Sequence, residues 1–174
     1  MSDNNEHKPE GKSAIIAVYA FLILSTVFCF VPVTAVFTTG LLMLPLCLFA
    51  AWLLRFGKSP DSLIYNHMIY ISSTIWMYSL LFSVTSSIAG FMIFRWADNS
   101  ILNEALNAMM SGQGYSREEL YDLLLDYARA NLGLMVSAAI VCVVPVIGYI
   151  AYRLSRGLNR ALKGYRLQKP QSWF

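Results

Sequence analysis

The chain has 174 residues, of which 57% are apolar and 13% are charged, with a net charge of +3 and a mean hydropathy of +0.53. Soluble domains carry about 25% charged residues, so the composition excludes an ordinary soluble domain and a disordered chain and predicts an integral membrane protein. The three cysteines lie in apolar stretches without CxxC spacing, which predicts neither a disulfide framework nor a metal site.

The N-terminal region is predicted to form two membrane spans joined by a turn. Residues 14–54 contain no charged side chain, and as helix they would extend about 60 Å, twice the roughly 30 Å of the hydrocarbon core. We therefore place span one at 14–33 and span two at 38–54, with Pro32 and the cluster at 38–40 in the turn. A cleavable signal peptide is the competing interpretation, but no small-residue cleavage site precedes the second apolar run.

The next uncharged stretch, residues 63–94, is too long for one perpendicular crossing. Its first half is polar, so we expect it to emerge into the membrane interface, with span three over 75–94. His67 could relay a proton or bind a headgroup, or it could be an ordinary interfacial residue, and one imidazole cannot hold a metal ion or a haem. The polar residues treated as a candidate functional site are Asn66, His67, Tyr70 and Thr74.

Small residues repeat at helical spacing along one side of span three, which is typical of close helix packing. The repeat consists of Ser79, Ser83, Ser86 and Gly90. It could line a polar pore only if several copies assembled. Span four is predicted over 132–152, with a bend at Pro145. No predicted span contains Asp, Glu, Lys or Arg, which weighs against a secondary transporter.

The long aqueous segment 96–131 is acidic, with six carboxylates against two arginines. Apolar residues at helical spacing predict a helix over 101–110, and the S-x-x-E pattern at Ser116 predicts the start of a second helix that continues into span four. The apolar face of this second helix consists of Leu120, Leu123, Leu124 and Tyr127. It could pack on the first helix or lie on the outer leaflet, or it could bind a second copy or a membrane-protein partner through residues 98–131.

The orientation follows from the distribution of Lys and Arg between the two sides of the membrane. Ten lie in the N-terminal tail, the 55–62 loop and the C-terminal tail, and three lie on the other side. Both termini are therefore predicted to be cytoplasmic. The predicted regions are a cytoplasmic tail at 1–13, spans one to three within 14–95, an extracytoplasmic acidic helical segment at 96–131, span four at 132–152 and a basic cytoplasmic tail at 153–174.

The basic tail is predicted to form an interfacial helix on the inner leaflet. Its cations are expected to contact anionic lipid headgroups, each contributing about 1 kcal/mol. The predicted headgroup contacts are Arg153, Arg156, Arg160 and Lys163. Cations at a membrane exit need no nucleic-acid partner to explain them, and no motif for reading nucleic acid accompanies them.

Two segments of the chain carry recognisable motifs. Residues 67–76 are similar to the segment SHxxxQxxTFW, with His67, Thr74 and Trp76 in register, and residues 153–174 are similar to a closing motif of RxxRGL, G, P and TW. Both segments resemble a widespread family of small bacterial membrane proteins of unknown function, distantly related to a chloroplast Tic translocon component. Ile71 stands at the family's Gln position, and Ile69 and Ser73 stand at positions where the family has Arg. The acidic segment 96–131 replaces a short turn of the family. The resemblance implies the topology and a bacterial inner-membrane location.

The predicted fold is an all-α integral membrane protein with four transmembrane helices, an extracytoplasmic amphipathic helical hairpin and a basic C-terminal interfacial helix. We expect a non-enzymatic accessory, assembly or scaffold component without a cofactor. The first alternative is an oligomeric channel or translocation component. The second is a membrane enzyme, for which His67 is the one available catalytic group.

Overall fold

A computed structural model describes residues 11–172, and every regular element within that range is an α-helix. The first ten residues of the predicted N-terminal tail and the Trp173 and Phe174 of the closing motif lie outside the described residues. The six helices within the range are α1 (Lys12–Phe28), α2 (Thr34–Arg55), α3 (Leu63–Trp96), α4 (Ser100–Met110), α5 (Arg117–Ala130) and α6 (Leu132–Leu162).

The helices belong to two compact units. Unit 1 consists of the described parts of Met1–Leu80 and Gly148–Phe174, and unit 2 is Leu81–Ile147. By length and composition, α2, α3 and α6 can cross a membrane, whereas α1 is a shorter apolar helix of 17 residues. The prediction of an all-helical fold is confirmed, and three helices are long and apolar enough to cross a membrane, where four spans were predicted.

The turn between α1 and α2 is shorter than predicted. It occupies residues 29–33 and includes Pro32, but the cluster at 38–40 lies inside α2. The hydroxyls of Thr38 and Thr39 donate to the Thr34 and Ala35 carbonyls at 2.8 and 2.7 Å, so both polar groups are satisfied within the helix. A helix can therefore begin at Thr34 in spite of these turn-forming residues.

The predicted division of residues 63–94 into an interfacial half and a span is wrong in its backbone. A single helix of 34 residues runs from Leu63 to Trp96. It begins after Ser62, whose hydroxyl accepts a hydrogen bond from the Tyr65 N–H at 3.2 Å. In its first half, Asn66, His67, Tyr70 and Thr74 are buried within unit 1, whereas Tyr65, Ser72 and Ser73 are half-buried.

The predicted separate interfacial helix is also absent from the described chain, because α6 continues unbroken from Leu132 to Leu162. The helix then ends in a Schellman motif, in which Tyr165 N–H donates to the Arg160 carbonyl at 2.9 Å and Gly164 N–H donates to the Ala161 carbonyl at 3.0 Å. Gly164 has φ of +71°, a left-handed conformation that glycine adopts at little cost. This reversal sends the remaining chain back towards α3.

The two predicted helices of the acidic segment are confirmed as α4 and α5 in unit 2. At the start of α5, Glu119 N–H donates to the Ser116 hydroxyl at 3.2 Å, and Ser116 N–H donates to the Glu119 carboxylate at 2.7 Å. This is the expected capping box. The backbone N–H of Ser116 stabilises the charged form of Glu119 and lowers the pKa of that carboxyl.

The predicted continuation of α5 into span four is interrupted at Asn131. The Asn131 side chain accepts a hydrogen bond from Asp98 N–H at 2.7 Å and donates to the Asp98 carbonyl at 3.0 Å. The side-chain amide therefore satisfies both backbone groups of Asp98. This pairing ties the turn before α4 to the junction of α5 and α6.

Candidate functional site

The structure brings the four predicted site residues of α3 together on one buried face. Asn66, His67, Tyr70 and Thr74 are all buried in unit 1, and we call them the α3 polar face. Their spacing places them on successive turns of one side of the helix. Buried polar groups must find hydrogen-bond partners, and the partners here come from α1, from α6 and from the segment after α6.

Residues 165–172, which we call the terminal strap, follow the reversal at Gly164 and contact the start of α3. The Asn66 amide donates to the Leu167 carbonyl at 2.9 Å and accepts from the Leu167 N–H at 2.8 Å. One side chain therefore satisfies both backbone groups of a residue 101 positions away. The Leu167 side chain is buried, so this pairing fixes an apolar anchor of the strap.

His67 connects α1 to the terminal strap. Its Nε2 lies 3.0 Å from the Tyr165 carbonyl, and a carbonyl only accepts, so Nε2 is the donor. In the neutral ring Nδ1 is then the acceptor, and it accepts a hydrogen bond from the Tyr19 hydroxyl, whose oxygen is 3.1 Å away. Both ring nitrogens are therefore engaged inside the protein rather than open to a metal ion or a headgroup.

Arg153 was predicted to contact lipid headgroups, and the structure corrects that prediction. Its side chain is 1% exposed, with the guanidinium carbon 3.7 Å from the centroid of the Tyr70 ring. Nε donates to the Thr74 hydroxyl at 3.1 Å, Nη1 to the Ser172 carbonyl at 2.6 Å and Nη2 to the Tyr70 carbonyl at 3.4 Å. Among residues 11–172 all of these partners are uncharged, so dipoles and a ring face solvate the buried charge.

Gly157 allows α6 to approach the two tyrosines of this network. A Cβ at Gly157 would lie against the Tyr19 hydroxyl and within 2.8 Å of Tyr70 Cε1. The Tyr70 hydroxyl donates to the Arg153 carbonyl at 3.0 Å, which links α3 to α6 one turn before the glycine. A side chain at position 157 would displace at least one ring of the network.

The other predicted headgroup contacts lie nearer the surface of unit 1. Arg156 is half-buried, and its Nη1 donates to the Tyr152 hydroxyl at 2.8 Å. Arg160 donates from Nη1 to the Arg166 carbonyl at 3.1 Å, and Lys163 is exposed. These three cations therefore differ from Arg153, whose charge is enclosed.

The predicted partner face of α5 is divided in unit 2. Leu123 and Tyr127 are half-buried, and the Tyr127 hydroxyl donates to Asn99 at 3.2 Å near the start of α4. Leu120 and Leu124 are exposed, the latter by 58%. The α4 helix thus covers only part of the apolar face.

Tyr19, Gly157 and the terminal strap were missed from the sequence. The closing motif that contains Gly157 was visible, but nothing local indicated that it packs on Tyr19 and Tyr70. Among residues 11–172, no group of three or more His, Cys, Asp or Glu side chains is placed to hold a metal ion.

No family model, curated protein or solved structure matches this chain. The chemistry of the α3 polar face must therefore be taken from its geometry. Its side chains bind the backbone of the chain's own terminal strap, and they join four segments of unit 1 into one hydrogen-bonded network.

Replacing Asn66 should release the terminal strap. In Asn66→Leu, the buried N–H and carbonyl of Leu167 lose their partners, at about 1 to 3 kcal/mol each. We expect amide hydrogens of the strap to exchange about tenfold faster or more, measured by mass spectrometry on the full chain in detergent micelles. Ser73→Ala is the control, because it removes only a 3.4 Å bond to the Gln171 carbonyl. Unchanged exchange in Asn66→Leu would contradict the pairing.

Thr74 and Arg153 should be energetically coupled. Thr74→Val leaves the buried Arg153 Nε without an acceptor and should lower the free energy of unfolding by about 1 to 3 kcal/mol. Once Arg153→Met has removed the charge, the same Thr74 substitution should cost less. A double-mutant cycle, measured by unfolding in a denaturing-detergent titration, gives the coupling between Thr74 and Arg153. The control is the same cycle with Arg156→Met in place of Arg153→Met. Additive losses for Thr74 and Arg153 would count against the network.

Proposed function

We propose that this chain is a non-enzymatic accessory, assembly or scaffold component of a bacterial inner membrane, which binds a second copy or another membrane protein through α4 and α5. The observation that supports this proposal is the apolar surface left exposed on an acidic segment. On α5 it includes Leu120 and Leu124, and on α4 it includes Leu106, Met109 and Met110, the last exposed by 79%. The 11 residues of α4 and the 14 residues of α5 are too few to span a bilayer, and α5 is also highly charged, so the hydrocarbon core does not account for this surface.

The proposal includes four spans with both termini in the cytoplasm. The 17 residues of α1 are at the short end of the range of about 17 to 25 that crosses a bilayer. The split of ten to three Lys and Arg residues supports the orientation. The resemblance to the Tic-related family supports the bacterial inner membrane, and two residues of its motif, His67 and Thr74, belong to the buried network.

An oligomeric channel or translocation component is the second candidate. On α3, Ser79, Ser83 and Gly90 are exposed, and a Cβ at Gly90 would meet no described atom within 4 Å. Small exposed residues at helical spacing favour close contact with another transmembrane helix. A second copy could supply that helix, and the serine hydroxyls would then lie at or beside the contact. A membrane enzyme is less well supported, because His67 uses both ring nitrogens internally.

Reporter fusions test the topology. A reporter fused after residue 174 should be active in the cytoplasm, and one inserted at Gly112, in the turn between α4 and α5, should be active outside it. A fusion after Arg55, at the end of α2, should behave like the C-terminal one, because an even number of spans precedes it. An extracytoplasmic C-terminus would overturn the proposed orientation.

Charge substitutions on α5 test the proposed partner surface. Leu120→Glu together with Leu124→Glu should abolish a dimer or a co-purifying membrane protein, since burying each leucine is worth about 1.5 to 3 kcal/mol. Insertion should be unchanged, because the apolar runs of the long helices are not altered. Ala130→Glu, at an exposed position at the end of the same helix, is the matched control. The proposal would be refuted if the wild-type protein, after cross-linking and mild solubilisation, were a monomer with no other membrane protein bound to it.

A further inference from the structure

A cleft lies beside the terminal strap in unit 1 and has a volume of about 380 Å³. Its wall is partly apolar and includes Ile69 of α3 and Leu167 and Pro170 of the strap. Pro60, from the loop between α2 and α3, and Arg166 also line it. The volume is at the lower end of the range for ligand pockets, about 300 to 1,000 Å³, and suits a headgroup rather than a whole lipid.

The guanidinium of Arg166 is held loosely at this cleft. Nη2 lies 3.3 Å from the Asp61 carboxylate and 3.4 Å from the Pro60 carbonyl, longer than the roughly 2.7 to 2.9 Å of a strong charge-assisted bond. The Asp61 side chain is 88% exposed, so water competes for it. Nε and Nη1 of Arg166 have no hydrogen-bond partner among residues 11–172, which leaves them able to donate to an anion.

The charge around the cleft favours an anionic ligand. Residues 55–62 and 154–172 together contain seven Lys and Arg residues and one acidic residue, Asp61. Arg160 donates to the Arg166 carbonyl at 3.1 Å, which brings a second guanidinium to the same stretch of strap. Among the residues that line the cleft, Arg166 is the charged one, and an excess of cations in the neighbouring segments raises the local concentration of anions. The strap wall is fixed in place by the two hydrogen bonds between Asn66 and Leu167.

We propose that this cleft binds the phosphate of an anionic amphiphile, with Arg166 donating to a phosphate oxygen and the apolar wall accepting the adjoining carbon chain. The inference rests on the proposed membrane location, since the cleft opens beside the first turns of α3, a helix that can cross a membrane. A lipid headgroup and a free phosphate share this chemistry, but only the lipid uses the apolar wall. Asp61 is a competitor for Arg166 in this arrangement, so its carboxylate opposes binding.

Calorimetric titration of the full-length protein in neutral maltoside micelles tests the proposal. The probes are dihexanoyl phosphatidylglycerol, its zwitterionic phosphatidylcholine counterpart and inorganic phosphate. Phosphatidylglycerol should bind most tightly, and Arg166→Gln should weaken its binding about tenfold, as expected for loss of a charged hydrogen bond. Asp61→Asn should strengthen it. Lys163→Gln and Lys169→Gln lower the net charge equally without removing a cleft side chain, so each should change it less than about twofold.

Four results decide the outcome. Equal weakening by Arg166→Gln and Lys169→Gln would reduce the cleft to part of a diffuse basic surface and overturn the proposal, as would tight phosphatidylcholine binding that ignores Arg166→Gln. Phosphate that binds as tightly as phosphatidylglycerol, and depends on Arg166, would support the anion site but overturn the amphiphile, because the apolar wall would then contribute nothing. Asp61→Asn keeps the test valid if an Arg166 variant misfolds, since weakened binding there would also overturn it. The titration uses isolated protein, so it can succeed or fail independently of the partner and topology experiments.

Discussion

The burial of the Arg153 charge is the constraint on which unit 1 depends. An arginine cannot lose its proton to escape an apolar environment, so its charge must be solvated by the protein. The Tyr70 ring, the Thr74 hydroxyl and the carbonyls of Tyr70 and Ser172 provide that solvation. Because one of these groups belongs to the terminal strap, the charge is fully solvated only when the strap has folded back. The position of the last described residues is thereby coupled to the packing of α6 on α3.

The strap imposes a second requirement, because it is not helical. The Tyr165 and Ser172 N–H groups donate to the Arg160 and Lys169 carbonyls, but the other backbone groups lack the regular hydrogen bonds of a helix. The α3 polar face supplies several partners from its side chains. Asn66 satisfies both groups of Leu167, and His67 satisfies the Tyr165 carbonyl. Such side chains are costly on an apolar helix unless they have partners, and the strap is costly unless it has donors and acceptors. The polar side chains and the strap backbone therefore satisfy each other's hydrogen bonds. This explains why polar residues occur in the first turns of a helix that can cross a membrane.

The sequence was informative wherever the deciding interaction is local. The start of α5 depends on Ser116 and Glu119, three residues apart, and the pattern predicted it. The end of α4 at Met110 likewise depends on the residues that directly follow it in the sequence. The strap depends on pairs such as Asn66 with Leu167, which are 101 residues apart, and one sequence contains no signal for such a pairing. The error over Arg153 has the same origin, because periodicity places it with Arg156 and Arg160 but cannot show that another segment covers it.

There is also a physical reason why the predicted site residues bind other parts of the chain. The candidate site residues are polar side chains in an apolar stretch. Such side chains need a hydrogen-bond partner, but the sequence does not distinguish an external ligand from a partner inside the chain. In unit 1 the internal partner is present, so His67 and Arg153 use their hydrogen-bonding capacity on the fold. The groups with capacity left include Arg166 at the cleft, which the sequence did not single out, and Leu124 of the predicted partner face on α5. Binding is therefore best sought where interactions inside the chain leave a donor or an apolar surface unused.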